Sequence, residues 1–510
     1  MNVVAAWPEA PVVAVMLAAP FANVPLAPVA GAVNVTGRLI GTTTTYSFLP
    51  GHNFQNAYTY DAASNRTSLT APDTSITTYG YDTLNRLNGM ANSWAGSFGF
   101  SYDALNRRTQ LTRPNGINTN YGYDAVSHLM SVLHQQGSTT LDGASYTYDA
   151  AGNRQTKTNY LNGVTSNYGY DFLYELTQVT QGGSTTESYS YDPAGNRLSS
   201  LGVPSYSYNS SNELTSSSNG SYTYDNNGNT LTDAAGRTFT WDFENRMVQA
   251  YVPGGGTTTF EYDPFGRRIN KIAPGGLTNY LYDRKSIVQT VDGAGNVMTR
   301  LVGTQDVDEW LAETNAGTTS YYHQDGLRSV TSLSSTTASL SDTYVYDSFG
   351  KLQTSIVPVA NFLQYTGREF DPESGLNYYR TRYYDSAIGR FTSEDLIRFK
   401  GGTNFYPYVN NRPVTFTDPM GTCLLQLVTS PNAHAEACGL EPKTNDRCGC
   451  LCAISPNFEG CMKDCKDGCL SVKLNPIEAC QCLCNKGKEN GTLNSFEAWL
   501  CKQGCKRNLK

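Results

Sequence analysis

The chain has 510 residues, 16% of them charged, and a net charge of −7. A charged fraction so far below the usual quarter excludes a coiled coil, and the acidic balance excludes nucleic-acid binding by bulk charge. The longest apolar stretch, near residues 12–20, is far short of the roughly 20 residues a membrane helix needs, so no transmembrane segment is expected.

The first 37 residues contain no Lys or Arg and are rich in Ala, Val and Pro. A secretory signal carries a basic start before its apolar run. Residues 1–45 therefore read as a poorly ordered apolar lead-in, or as a degenerate signal. The lead-in reading has the frame begin partway into a longer architecture.

From residue 46 a repeat takes over. Tyr-Asp recurs at Tyr60, Tyr81, Tyr102, Tyr123, Tyr148, Tyr170, Tyr191, Tyr224, Tyr262, Tyr282, Tyr346 and Tyr384, with a spacing near 21 at the start. Tyr208-Asn209 and Trp241-Asp242 read as degenerate members. The fuller unit is YTYDAAGNR at 146–154 and YSYDPAGNR at 189–197. Y-x-Y puts two aromatics on one face of a strand, because side chains alternate with period two. Asp then opens a turn, and Gly or Asn supplies positive φ. Arg begins the return strand, where it can pair with the turn Asp or lie on a Tyr face. Each unit is thus a hairpin, and a hairpin needs neighbours to bury its rings. The predicted fold class is mainly β: one antiparallel hairpin strip over residues 46–364.

These units resemble the RHS, or YD-repeat, proteins. The resemblance implies a strip wound into a hollow shell that, in several branches, encloses a C-terminal toxin. Residues 365–421 resemble the RHS repeat-associated core. The pieces that carry the likeness are Gly367-Arg368-Glu369, Gly375-Leu376-Asn377-Tyr378-Tyr379, Arg382-Tyr383-Tyr384-Asp385, Gly389-Arg390-Phe391 and Asp418-Pro419-Met420-Gly421. In the toxin-delivery branch this core cuts the chain just after its closing D-P-x-G. The resemblance gives the cut an aspartyl-protease type of chemistry and assigns it to Arg382, Asp395 and Asp418. Two carboxylates sharing a site do not both ionise, so one holds a proton while the other activates water. Two positions depart from the family pattern: Leu396 stands where Pro follows the first Asp, and Thr422 where Leu closes the motif. The competing reading makes the same three residues a salt-bridged plug.

Composition breaks after the motif. All 13 cysteines lie between Cys423 and Cys505. Residues 423–510 carry a net +2 and the remainder −9. The tail holds an internal duplication: Cys448, Cys450, Cys452, Cys461, Cys465 and Cys469, then Cys480, Cys482, Cys484, Cys501 and Cys505. C-x-C-x-C suits a strand with its sulfurs on one face, and C-x3-C a helix, at 458–470 and 495–507. The tail is read as a small disulfide-rich α+β domain from an oxidising compartment, with its connectivity open. A metal thiolate cluster is the alternative, but there is no C-x2-C pair, and His434 is the tail's sole histidine. No cofactor and no metal are therefore expected. His434 with Glu436, and the basic end at Lys502, Lys506, Arg507 and Lys510, are read as solvated surface. No catalytic motif is found in the tail.

A size estimate bears on the shell. About 365 strand residues tile roughly 5,800 Å², which leaves a cavity radius near 16 Å, about the radius of an 88-residue globule. With realistic strand content the wall does not close. An open or partial shell is expected, with the tail outside or at its mouth. The favoured function is an RHS-type polymorphic toxin or secreted effector. Its partners would be a target-cell component and an immunity protein. The alternative is a non-enzymatic cell-surface or cell-wall scaffold with a disulfide-bonded terminal module.

Overall fold

The computed structural model describes residues 12–15, 29–33, 37–357, 359–400 and 402–422. The predicted tail, with its cysteines, disulfides and two short helices, lies outside the described residues. Among the described residues no helix is long and apolar enough to cross a membrane.

The chain forms the expected antiparallel hairpin strip. A 17-stranded sheet holds the strands from Val12–Val15 through Arg197–Ser200, and a 14-stranded sheet those from Thr223–Tyr224 through Leu352–Ile356. A three-stranded sheet lies between them in sequence, and a four-stranded sheet follows. Of the stretch expected to be a poorly ordered lead-in, the described segments Val12–Val15, Val29–Val33 and Leu39–Thr44 pair antiparallel as strands. An open sheet edge presents unpaired N–H and C=O groups, and a Val/Thr-rich run readily adds to it.

Each repeat is built from its own residues. In the unit around Tyr81, Asp82 Oδ1 accepts the N–H groups of Leu84 and Arg86 at 2.9 and 3.0 Å. Asp82 Oδ2 accepts from Arg86 Nε at 2.7 Å. Asn85 takes φ +59 in that turn, which is why Asn or Gly recurs there. The strand register slips by one residue at the second aromatic, between Gly80 and Tyr81, and likewise at Tyr60, Tyr102, Tyr148 and Tyr191. Such bulges bend a strand and raise its twist, so the strip curves by a step at every repeat. The second tyrosine then donates its hydroxyl to a carbonyl of the neighbouring hairpin: Tyr81 to Arg66 at 2.8 Å, Tyr102 to Leu87 at 2.8 Å, Tyr148 to Leu129 at 2.7 Å.

The inner faces of the two long sheets pack on each other. One buried cluster joins Tyr58, Tyr79, Phe98 and Leu111 of the first sheet to Leu281, Val302, Leu311 and Tyr321 of the second. Charge crosses the same boundary. Arg66 pairs with Asp283, and Arg108 with Glu309, all buried. Arg268 pairs with Asp371 of the small sheet. Between the later hairpins the faces part around a polar cavity of about 710 Å³ lined by Arg154, Arg197, Glu187 and Asp347 among others.

Candidate functional site

The four-stranded sheet, Glu369–Asp371, Leu376–Tyr379, Arg382–Asp385 and Arg390–Phe391, carries Arg382, and the loops after it carry Asp395 and Asp418. Its rings Tyr379, Tyr384 and Phe391 make a dense apolar cluster with Tyr365 and Tyr408 of the adjoining turns. The Arg382 guanidinium lies over the Phe391 ring, 3.6 Å from its centre. Packing on that ring fixes the side chain's direction, and the charge is directed at the loop beyond.

All three residues assigned from the resemblance come together. Arg382 Nη2 lies 2.9 Å from Asp395 Oδ2 and 3.4 Å from Asp418 Oδ2. The three are 3%, 8% and 4% exposed. Asp395 Oδ1 accepts the N–H of Ile397 at 2.9 Å, which leaves Oδ2 for the guanidinium. Burial pushes the Asp395 carboxyl above its ordinary value, with the Arg382 charge opposing. Burial also lowers Arg382, offset by Asp395 and Asp418.

The same residues hold the backbone of the closing motif. Arg382 Nε donates to the Gly421 carbonyl oxygen. Arg382 Nη1 donates to Phe405 O at 2.7 Å. Asp418 Oδ1 accepts the N–H of Thr422 at 2.9 Å. The two sides of the Gly421–Thr422 peptide bond are therefore held by different members of the trio. Gly421 has φ +73, and a Cβ on it would stand 2.5 Å from the Tyr379 carbonyl oxygen. Only glycine lets the backbone lie so close.

Neither departure from the family pattern disturbs this arrangement. Leu396 is 53% exposed, so its side chain does not set the carboxylate. Thr422 takes part through its backbone N–H. Two contributors were missed by sequence reasoning. Thr381 Oγ1 donates to Met420 O at 2.7 Å and lies 3.2 Å from Gly421 O. Asp308, buried in the large sheet's loop, holds Arg368 and Arg380, each at 2.7 Å. Their only sequence signal is position: Thr381 precedes Arg382, and Asp308 sits two residues before Trp310. Among the described residues no group of three or more His, Cys, Asp or Glu side chains is set to hold a metal ion.

The Teneurin YD-shell model matches residues 155–414, just over half of the chain. The chain belongs to the Teneurin YD-shell family. It is an RHS/YD-repeat protein, as the Tyr-Asp units imply. It is 32% identical over 266 residues to the tRNA3(Ser)-specific nuclease WapA of Bacillus spizizenii, covering 49% of this chain and 11% of that protein. It is 31% identical over 199 residues to the probable deoxyribonuclease RhsB of Dickeya dadantii, covering 36% and 13%. The YD-shell protein also superposes on the crystal structure of TcdB2-TccC3-Cdc42 with a TM-score of 0.68 at 18% identity, over 78% of this chain and 24% of that one. That likeness is one of fold. The chain thus spans about a tenth of the curated relatives' length and a quarter of the solved structure's.

Proposed function

We propose that this YD-shell protein is a carrier-and-effector part of a secreted RHS-type polymorphic toxin, and that it cuts its own chain between Gly421 and Thr422. The cut frees residues 423–510 as the effector. What supports the reading is the placement of Arg382 on the carbonyl oxygen of that peptide bond and Asp418 on its nitrogen, with Asp395 held on the same guanidinium.

The chemistry follows from that placement. Asp395, the carboxyl nearer the guanidinium, takes a proton from a water molecule as its oxygen attacks the Gly421 carbonyl carbon. Burial raises Asp395, which makes it the better base. Negative charge builds on the carbonyl oxygen, where Arg382 Nε–H already stands, and a preorganised donor is worth most there. The carbon–nitrogen bond breaks, and Asp418, the carboxyl of the pair that starts protonated, hands its proton to the Thr422 nitrogen. One water is consumed, and a carboxyl and an amine are produced. Holding bond and groups in one chain removes the entropy of bringing them together.

Intact mass of the full chain, with and without reductant, tests this. Two fragments joining at Gly421 and Thr422 are expected from the native sequence, and none from Asp395→Asn or Asp418→Asn. A lasting 55.7 kDa chain would leave these residues as a plug. For the effector role, export of the native chain into an oxidising compartment should arrest growth, and the uncut variants should arrest it less.

A further inference from the structure

Three consecutive residues hold three consecutive carbonyl oxygens. Arg380 donates to Pro419 O, Thr381 to Met420 O at 2.7 Å, and Arg382 to Gly421 O. The local fold makes this run. Strands Leu376–Tyr379 and Arg382–Asp385 are joined by a two-residue turn in which Arg380 takes φ +58. The Thr381 N–H lies 2.6 Å from Tyr379 O, and the turn is tight enough to present its tip to the closing motif. Arg380 is held from behind by both oxygens of Asp308, at 2.7 and 3.1 Å. Gly421 lies directly on the tip: a Cβ there would be 2.8 Å from Thr381 Oγ1 and 3.2 Å from Arg382 N.

Thr381 is the unusual member. Its hydroxyl has one proton and two carbonyls in reach, Met420 O at 2.7 Å and Gly421 O at 3.2 Å. In the uncut chain the shorter contact takes the proton. During the cut the Gly421 oxygen becomes an oxyanion while Met420 O stays neutral. Hydrogen bonds to charged acceptors are about twice as strong as neutral ones. A hydroxyl rotates at little cost, so its proton turns to the oxygen that has gained charge. The contact is then stronger in the transition state than in the ground state, which is the condition for it to speed the reaction.

Resting on the self-cleavage reading, we infer that Thr381 is a catalytic residue of the cut, the second hydrogen-bond donor to the Gly421 oxygen beside Arg382. Arg380 is a positioning residue, which keeps residues 419–421 in register through Asp308. Thr381 gains and loses no atom. It offers its proton as a hydrogen bond and keeps it when the carbon–nitrogen bond has broken.

The test is a time course of cutting in the full chain made by cell-free synthesis, stopped at intervals and read by intact mass. Thr381→Val should slow the cut about 100-fold, the loss typical of one such donor, and Thr381→Ser should restore it to within a few fold. Thr381→Ala serves if the valine prevents folding, and it should slow the cut equally. Arg380→Met should slow the cut and Arg380→Lys should recover part of the rate, since Lys still reaches a carboxylate. A native chain that cuts, with Thr381→Val or Thr381→Ala cutting at the native rate, overturns this inference alone. A native chain that never cuts overturns the self-cleavage reading and this inference with it.

Discussion

The indole N–H of Trp241 donates to the Thr230 carbonyl oxygen at 2.7 Å. In many other hairpins a tyrosine hydroxyl makes this contact, as Tyr191 does to Leu176 at 2.8 Å. The second aromatic of the unit is thus selected for a donor at the ring's far end as well as for its ring. Replacing Trp241 by Phe should cost about 1 kcal/mol, the net worth of one such bond plus some loss of ring area. Tyr191→Phe should cost a similar amount. The two sites are far apart in the strip, so the costs should add. Urea unfolding followed by far-ultraviolet circular dichroism measures both.

Charge across the sheets makes a larger prediction. Asp371 is 1% exposed and faces Arg268 and Lys271. Asp371→Ala leaves the buried Arg268 without its acid, while Lys271 keeps Glu373 at 3.0 Å, and removing one partner of a buried pair costs about 3–5 kcal/mol. The urea midpoint should drop accordingly. Asp82→Ala removes an acid from a half-exposed turn pair and should cost less.

Stability should also depend on pH through Glu313. Its side chain is fully buried, with Tyr322 donating to Oε2 at 2.6 Å. Burial pushes its carboxyl up from 4.5 to about 7. A raised acid favours the folded chain while protonated. Its contribution is complete below 4.5 and is lost as the pH climbs through about 7. Glu309 has the opposite sign: burial would raise it, but the Arg108 and Arg328 guanidinium groups overcome that and hold it at about 2. Its contribution is present above 4.5 and disappears as the pH falls toward 2. Glu313→Gln should therefore flatten the melting temperature between pH 5 and 8 and leave the acid side unchanged. A melting series across that range decides it.

The proposed cut should have its own pH dependence. Asp395 must be ionised to take the water's proton, and burial places its value above 3.8. The rate should fall on acidification while the pH is still above the ordinary aspartate range. A cell-free time course at several pH values reads this limb.

Gly421→Ala should keep the fold and lose the cut. The added Cβ meets Tyr379 O and Thr381 Oγ1, and φ +73 disfavours it further. A displacement of about 1 Å costs on the order of 100-fold in rate. Intact mass with a melting curve separates the two effects.

The repeat was legible because its determinants are local. Asp82 bonds to residues two and four ahead, and Tyr81 reaches 15 residues back. Even Trp241 and Asn209 could be recognised as members, and Asn209 Oδ1 accepts from Ser211 and Glu213 as the aspartates do. The pairing of Arg66 with Asp283 spans 217 positions and has no periodic mark. Arg382, Asp395 and Asp418 were found by resemblance, and their types suit the chemistry. Thr381 was not found, since a hydroxyl's role depends on which carbonyl the backbone brings near it. The lead-in strands were missed because Val and Ala runs without Tyr-Asp carry no turn signal.

Asp308 ties residues 380–382, and through them the 419–421 segment, to the body of the strip. It belongs to a loop of the second long sheet, yet it anchors both Arg368 and Arg380. Under the proposed reading, the bond is gripped only after that sheet has been laid down and the last strands have settled on it. Scission would then act as a checkpoint on assembly: a half-built carrier keeps its cargo attached, and only a finished one lets go.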